Sequence, residues 1–302
     1  MSPEPVDSAA ADGRVWAAVV HFGDPATTLR ILEQLAASTF PIRVVVADND
    51  GAFVGPPRVD VLRLGVNRGF AGGANAGARH ALSRGASYVW ILNNDAEPAP
   101  NTLERLLETA AVCRPACLIG SLELDPGDAD PQGPWANKAP MLPSVLRGRV
   151  RAVRGRLTRV DFVSGFSMLV SRAAFEEVGF LDETFFHYFE DVDLGLRAVL
   201  AGADVVLDCG APIRHRRGTI MGPGSELETY YFFRNRLLIA ARYRRISPLL
   251  ALFVADPRHG LRPLFSRRRL LQHDWAWLRG AWRGTLDAVR GRTGPDSRPT
   301  RR

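Results

Sequence analysis

Lysine is almost missing from this chain: of 39 basic residues only Lys138 is a lysine, so 38 are arginines. A GC-rich coding genome produces such a skew without any function, and arginine number alone therefore says nothing about nucleic acid. Cysteine is scarce. Cys113, Cys117 and Cys209 form an odd set with no CxxC pair and no neighbouring histidine, which excludes a disulfide framework and a zinc site. Reduced thiols of this kind point to a cytosolic home. Long apolar runs are absent as well. The stretch 249–255 is among the longest, well short of the ~18 to 20 residues that cross a bilayer. The opening MSPEPVDSAAADGR has neither the basic nor the apolar region of a signal peptide, so any membrane contact is expected to be peripheral.

What is present is an ordinary globular mixture of 302 residues, 46% hydrophobic and 24% charged, which rules out a disordered or fibrous chain. The net charge of +7 is unevenly spread. Residues 211–302 hold 20 basic and 6 acidic side chains (+14), leaving 19 basic and 26 acidic in residues 1–210 (−7). A mildly acidic body carries a strongly basic C-terminal third.

Apolar β-type runs at 15–20, 42–47, 59–64, 88–92 and 118–122 alternate with helical patterns at 26–37, 72–83 and 101–112. Asp24-Pro25 supplies a helix start. Strands apolar on both faces and alternating with helices predict a mostly parallel sheet covered on both sides. The pattern breaks over 125–160 into Pro/Gly/Asp-rich and then Arg-rich sequence, read as a variable insertion. Order resumes at 161–171, with helices near 173–178 and 191–201, a strand at 205–207, a long helix near 226–243 and a last helix near 271–289. In that last helix Leu271, Trp275, Leu278, Trp282, Leu286 and Val289 fall at three- and four-residue steps, one apolar face.

Polar residues gather just after the strands, at the carboxyl edge where open α/β sheets bind ligands. Asp48 can accept hydrogen bonds from a nucleobase or ribose, or simply form a turn in Asp-Asn-Asp-Gly. The segment Asn67-Arg68-Gly69-Phe70-Ala71-Gly72-Gly73-Ala74-Asn75 could bring backbone N–H groups close to an anion at a helix start. It lacks GxGxxG spacing and follows the third strand, which disfavours a dehydrogenase. Asn93-Asn94-Asp95, with Glu97 two residues on, could hold a hard divalent cation whose shell water and substrate complete. Glu190, Asp191 and Asp193 sit beside five aromatics in FLDETFFHYFEDVD. Desolvated carboxylates shift toward protonation, and one so placed suits proton abstraction from a hydroxyl. His215 could ligate a metal; Arg217 and Arg234 could grip phosphates.

The ordered set VVHF, ADND, NRGFAGGANAG, LNNDAE, SGFSMLVSR, GFLDETFFHYFEDVDLGLRAVLAG and IRHRRG closely resembles family 2 glycosyltransferases, most of all their bacterial rhamnosyltransferase branch, over roughly residues 14–240. The resemblance implies a GT-A nucleotide-diphospho-sugar transferase fold, with a mostly parallel central sheet flanked by helices and a C-terminal helical extension. It implies inverting transfer from a nucleoside diphosphate sugar, dTDP-rhamnose first and UDP-sugars next, to a hydroxyl of a cell-envelope glycan or polyprenyl-linked acceptor. By the same resemblance His21, Asp48, Asn67, Gly72, Gly73, Asn75 and Asn94 line the nucleotide site. Asp95 and His215 hold Mg²⁺ or Mn²⁺, Asp191 is the general base with Glu190 its neighbour, and Glu97, Arg217 and Arg234 contact diphosphate or acceptor. One departure is Asn93-x-Asp95 in place of Asp-x-Asp, which removes a carboxylate from the metal motif.

The expected organisation is a disordered N-terminus (1–13), the transferase domain (14–245), a basic amphipathic extension (246–292) and a disordered tail (293–302). A nucleotidyltransferase would want a phosphate loop after the first strand, and VVHFGDP offers none. An RNA-binding protein would want base-stacking aromatics, whereas here they fall at helix spacing. The last helix has two readings: a surface for packing or homodimerisation, or an interfacial helix on an anionic inner leaflet. The glycine-rich segment 218–224 is read as a lid or a plain connector.

Overall fold

The computed structural model describes residues 14–124, 156–216, 225–245, 247–250 and 275–296. The expected disordered N-terminus, most of the insertion, Arg217, the 218–224 segment, residues 271–274 of the last expected helix and the final residues of the tail lie outside them. The chain divides into two compact units: Met1–Ala136, Val153–Asp182 and Glu190–Arg217 form the first, and Asn137–Ala152, Glu183–Phe189 and Gly218–Arg302 the second.

In the first unit the elements run β1 (Val15–His21), α1 (Pro25–Ala36), β2 (Arg43–Asp48), β3 (Asp60–Arg63), α2 (Gly69–Ser83), β4 (Tyr88–Asn93), β5 (Ala96–Pro98), α3 (Thr102–Ala111), β6 (Cys117–Leu124), β7 (Leu157–Arg159), β8 (Ser167–Ser171), α4 (Arg172–Val178), α5 (Glu190–Ala201) and β9 (Asp204–His215). One sheet in the order β3-β2-β1-β4-β8-β6-β9-β5 holds them, with β7 also on β9. Strands β1, β2, β3, β4, β6 and β9 share one direction, and β5, β7 and β8 run against it. The mostly parallel sheet is therefore as expected, with an antiparallel strand wedged between β4 and β6.

Alternation along β1 shows why both faces must be covered. Trp16, Ala18 and Val20 join one buried cluster with the alanines of α2, while Val15, Ala17 and Val19 join another with Ile31, Leu32 and Leu35 of α1 and Leu103 and Leu106 of α3. A β-carbon on Gly77 would stand 2.9 Å from that of Ala18, and one on Gly73 2.8 Å from Val20. The close approach these glycines permit is made to the sheet.

β9 is much longer than the expected 205–207. Its pairing with β6 shifts register between Ser121 and Leu122, and this bulge carries the strand past Cys209-Gly210-Ala211-Pro212, which reads as a breaker in isolation. β5 was not expected, because Pro98 argues against a strand. It lies at the sheet edge, where a missing N–H is tolerated.

The second unit contains α6 (Glu226–Arg244) and α7 (Trp275–Val289). Ser225 caps α6 by accepting from Glu228 N at 3.2 Å. The two helices meet through small residues: β-carbons on Gly280 and Gly284 would each lie 2.3 Å from a carbonyl oxygen of α6, those of Glu226 and Tyr230. Arg283 and Arg279 pair with Glu226 at the rim. Residues 183–189 wrap against the same helix. Phe186, Tyr188 and Phe189 all have positive φ (64°, 66° and 76°), and Asn235 Nδ2 donates to the carbonyls of Phe185, His187 and Tyr188 at 2.8–2.9 Å.

Candidate functional site

The ends of β1, β2, β4, β6 and β9, all pointing the same way, bring His21, Asp48, Asn93 to Asp95, Glu123 and His215 to one edge of the sheet. Such an edge is where a doubly wound sheet leaves room for a ligand. Three groupings of side chains occupy it.

At the first, His215 Nε2 stands 3.0 Å from Asp95 Oδ1 and 3.3 Å from the Asn93 amide nitrogen, while its Nδ1 stands 2.6 Å from Glu123 Oε1. Phe166 stacks on the ring, 4.9 Å between centroids. Burial opposes the charged imidazole, but the hydrogen bonds to Asp95 and Glu123 outweigh it, and the pKa is pushed up to about 9. A proton on Nε2 does here what a cation would do, standing between an imidazole nitrogen and a carboxylate. With one carboxylate oxygen and one imidazole nitrogen facing each other, the donor set fits a hard or borderline divalent ion that takes its remaining ligands from substrate and water. Glu97 is turned to another duty, pairing with Arg216 at 2.5 Å.

The second grouping surrounds the ends of β1 and β2. His21 is fully buried, with Nδ1 2.6 Å from Thr28 Oγ1, and Asn94 donates to the same hydroxyl at 3.1 Å. Asp48, also fully buried, accepts from the backbone of Asp50 and Gly51 through Oδ1 and of Phe53 through Oδ2. It therefore shapes the turn and keeps lone-pair capacity on Oδ2. His21, Asp48 and Asp50 each bring one ligand atom within 4.8 Å of the others. Asp50, exposed, is held below the ordinary carboxylate range: burial raises it, and the Gly23 N–H, Asp48 and His21 outweigh that.

The third is the start of α5. Asp191 accepts from Gly165 N through Oδ2 at 2.9 Å and from Val192 N through Oδ1 at 2.8 Å. Two fixed N–H donors hold the carboxylate in one orientation and leave a lone pair on each oxygen. Burial raises its pKa, the N–H groups oppose this, and the Glu123 charge adds to the rise. Glu190 is 4% exposed with Oε2 unpartnered. Burial and the Asp191 charge push its pKa well above the ordinary carboxylate value.

Other expected site residues take structural duties. Asn75, 2% exposed, clamps Leu181 by donating to its carbonyl at 2.9 Å and accepting from its N–H at 3.0 Å. Asn67 accepts from Gly69 N at the start of α2. Arg234 lies in the second unit, fully buried, donating to the carbonyls of Gly294 and Phe185. Glu123 and Thr28 escaped the sequence reading. A single acid in the apolar run LIGSLEL was the available signal for Glu123, and Thr28 had none.

A family model described as glycosyl transferase family 2 matches residues 19–179. The N-acetylglucosaminyl-diphospho-decaprenol L-rhamnosyltransferase of Mycobacterium tuberculosis is 32% identical over 250 residues, covering 68% of this chain and 80% of that protein. The galactofuranosyltransferase GlfT1 of Mycolicibacterium smegmatis is 28% identical over 270 residues, covering 79% and 86%. Among solved structures, the mannosyltransferase PcManGT from Pyrobaculum calidifontis in complex with GDP-Man and Mn²⁺ superposes with a TM-score of 0.54 at 14% identity, over 95% of this chain and 90% of that one.

Proposed function

The chain belongs to glycosyl transferase family 2 and has the GT-A-like fold expected of it, and from that premise we propose that it moves a sugar, with inversion, from a nucleoside diphosphate to a hydroxyl of a lipid-linked or cell-envelope glycan acceptor. The observation that carries the mechanism is the Asp191 carboxylate, fixed by two backbone N–H groups with a free lone pair on each oxygen and a pKa raised by burial. Asp191 takes the proton of the acceptor hydroxyl as its oxygen attacks the anomeric carbon on the face opposite the leaving diphosphate. General-base help of this type contributes about 10² to 10⁴ in rate. Asp95 and His215 would hold a divalent cation, Mg²⁺ or Mn²⁺, which supplies charge stabilisation to the departing diphosphate. Asp48 and His21 frame the place for the base and ribose.

Rhamnose from dTDP-rhamnose is the proposed donor and a polyprenyl diphosphate-linked sugar the proposed acceptor, at the cytoplasmic face of the membrane. The 32% identity to a rhamnosyltransferase acting on a decaprenol-linked sugar supports this. The likeness to a galactofuranosyltransferase supports a second reading, the same chemistry with another donor such as a UDP-sugar. A thermal-shift panel of dTDP-, UDP- and GDP-sugars with and without Mn²⁺ tests both. Stabilisation by dTDP-rhamnose above the others is the expected result, and a protein stabilised by none of them overturns the donor site.

A further inference from the structure

Two neighbouring residues in the loop that enters β8 each hold a different group of the candidate site. The N–H of Gly165 donates to Asp191 Oδ2 at 2.9 Å. The ring of Phe166 stacks on His215, 4.9 Å between centroids and 16° between planes, and its carbonyl accepts from Asn93 N at 3.0 Å. The loop has little room to move. Val163 is buried over β6, where a β-carbon on Gly120 would stand 2.5 Å from its Cβ. Ser167, the first residue of β8, accepts from Trp90 Nε1 at 3.0 Å and shares a hydrogen bond with Ser121 at 2.8 Å.

Gly165 is not one of the glycines at positive φ, so space rather than backbone conformation calls for a glycine here. A β-carbon on it would stand 2.8 Å from Phe70 Cε1, 3.2 Å from Cζ and 3.6 Å from Asp191 Cβ. Phe70 is buried at the start of α2, in the same apolar cluster as Ala71, Ala74 and Val163, and its ring is not free to swing aside.

We propose that Gly165-Phe166 is the positioning element of this site, setting where the base stands relative to the cation ligands by holding Asp191 with the N–H of one residue and His215 with the ring of the next. Neither residue touches the reacting atoms in this role; both act through the side chains they hold. The role rests on the reading of Asp191 as base and of Asp95 and His215 as cation ligands. In-line displacement needs the proton acceptor and the leaving-group side at a set separation, and a misplacement of ~1 Å costs about 10²-fold in rate. Adjacent residues of one anchored loop pass a shift at either end to the other.

The test is Gly165→Ala, alone and combined with Phe70→Leu, which removes the ring atoms that the new β-carbon meets. Gly165→Ala should lower kcat for transfer from dTDP-rhamnose about 10- to 100-fold while the donor KM stays near its parental value. Its Mn²⁺ affinity should fall about tenfold in a direct titration, because the Phe166 ring shifts with the loop. Adding Phe70→Leu should restore both quantities toward those of Phe70→Leu alone, with the thermal transition of every variant measured alongside. A further readout needs neither sugar nor metal: Asp191→Ala takes the acceptor from Gly165 N–H, so amide exchange at 164–166 should rise about tenfold. Parental Mn²⁺ affinity in Gly165→Ala, a double variant no better than the single one, or unchanged exchange in Asp191→Ala overturns the positioning role. Near-parental turnover in Asp191→Asn is the separate result that unseats the base itself, and none of the loop outcomes produces it.

Discussion

Glu123 holds His215 from behind: its Oε1 stands 2.6 Å from Nδ1, and the opposite nitrogen of the ring faces Asp95 Oδ1 at 3.0 Å. A carboxylate behind a metal-binding histidine fixes the ring and the tautomer, and losing such a partner typically costs 10- to 100-fold in metal affinity. Glu123→Ala should therefore weaken Mn²⁺ binding on the order of tenfold or more in a direct titration of the protein. Glu123→Gln should fall between, because its amide oxygen still accepts from Nδ1. An alanine variant with parental Mn²⁺ affinity would remove Glu123 from this role.

Asp191→Asn keeps the shape and an acceptor oxygen for Gly165 N–H but loses basicity. Transfer should drop by about 10² to 10⁴, with donor affinity unchanged in calorimetry. The wild-type acid limb of kcat/KM should lie above the ordinary carboxylate range, because burial raises the Asp191 pKa. Near-parental turnover in the variant would move the base elsewhere.

Glu190 gives a pH signature in stability. Its pKa in the fold is raised well above 4.5 by burial and by Asp191. Below that value folded and unfolded chains are both protonated and the burial costs nothing extra. As pH climbs, the unfolded chain releases its proton while the fold resists, so stability is lost progressively up through the folded pKa. Glu190→Gln should erase that loss. The expected gain in melting temperature is absent near pH 4 and grows to on the order of a few degrees at alkaline pH, with transfer activity reduced far less than in Asp191→Asn.

Elements whose burial is local were legible. The apolar runs of β1, β2 and β4 and the Asp24-Pro25 start of α1 appear in the structure within a residue or two of expectation. What escaped depends on distant partners. The extension of β9 rests on a bulge opposite β6, and β5 is a strand only because β9 supplies an edge for Pro98. The site shows the same division. Asp95, His215 and Asp191 stand out as charged residues ending apolar segments, but Glu123 acquires its meaning from a histidine 92 positions away. Sequence likewise does not show that residues 184–185 and 294 close around Arg234. The stripe of α7 was visible, while the side that packs was set by Gly280 and Gly284, which hydrophobicity does not mark.

Those two glycines supply a test with a definite sign. In an open helix, Gly→Ala is stabilising by about 1 kcal/mol. Here the added β-carbon would meet a backbone carbonyl at 2.3 Å, and neither helix can yield without moving the other. Overpacking costs typically about 1 to 3 kcal/mol, so Gly280→Ala and Gly284→Ala should each lower stability in chemical denaturation. A rise in either would mean that the helices do not meet there.

Asn235 is the last and most local test. Its side-chain nitrogen reaches three carbonyls of the 183–189 segment, and that segment holds three aromatic residues at positive φ, each a conformation that a bulky side chain adopts only under constraint. Without the amide, the carbonyls of His187 and Tyr188 lose this donor at a cost of about 1 to 3 kcal/mol, while Phe185 keeps the Arg234 guanidinium. Asn235→Leu should therefore destabilise by about that amount and raise hydrogen exchange at 183–189 more than in α6 itself. Because the segment runs directly into Glu190 and Asp191, kcat should fall while the donor KM stays near its parental value. A variant with full protection of 183–189 would show that the aromatics hold the segment unaided.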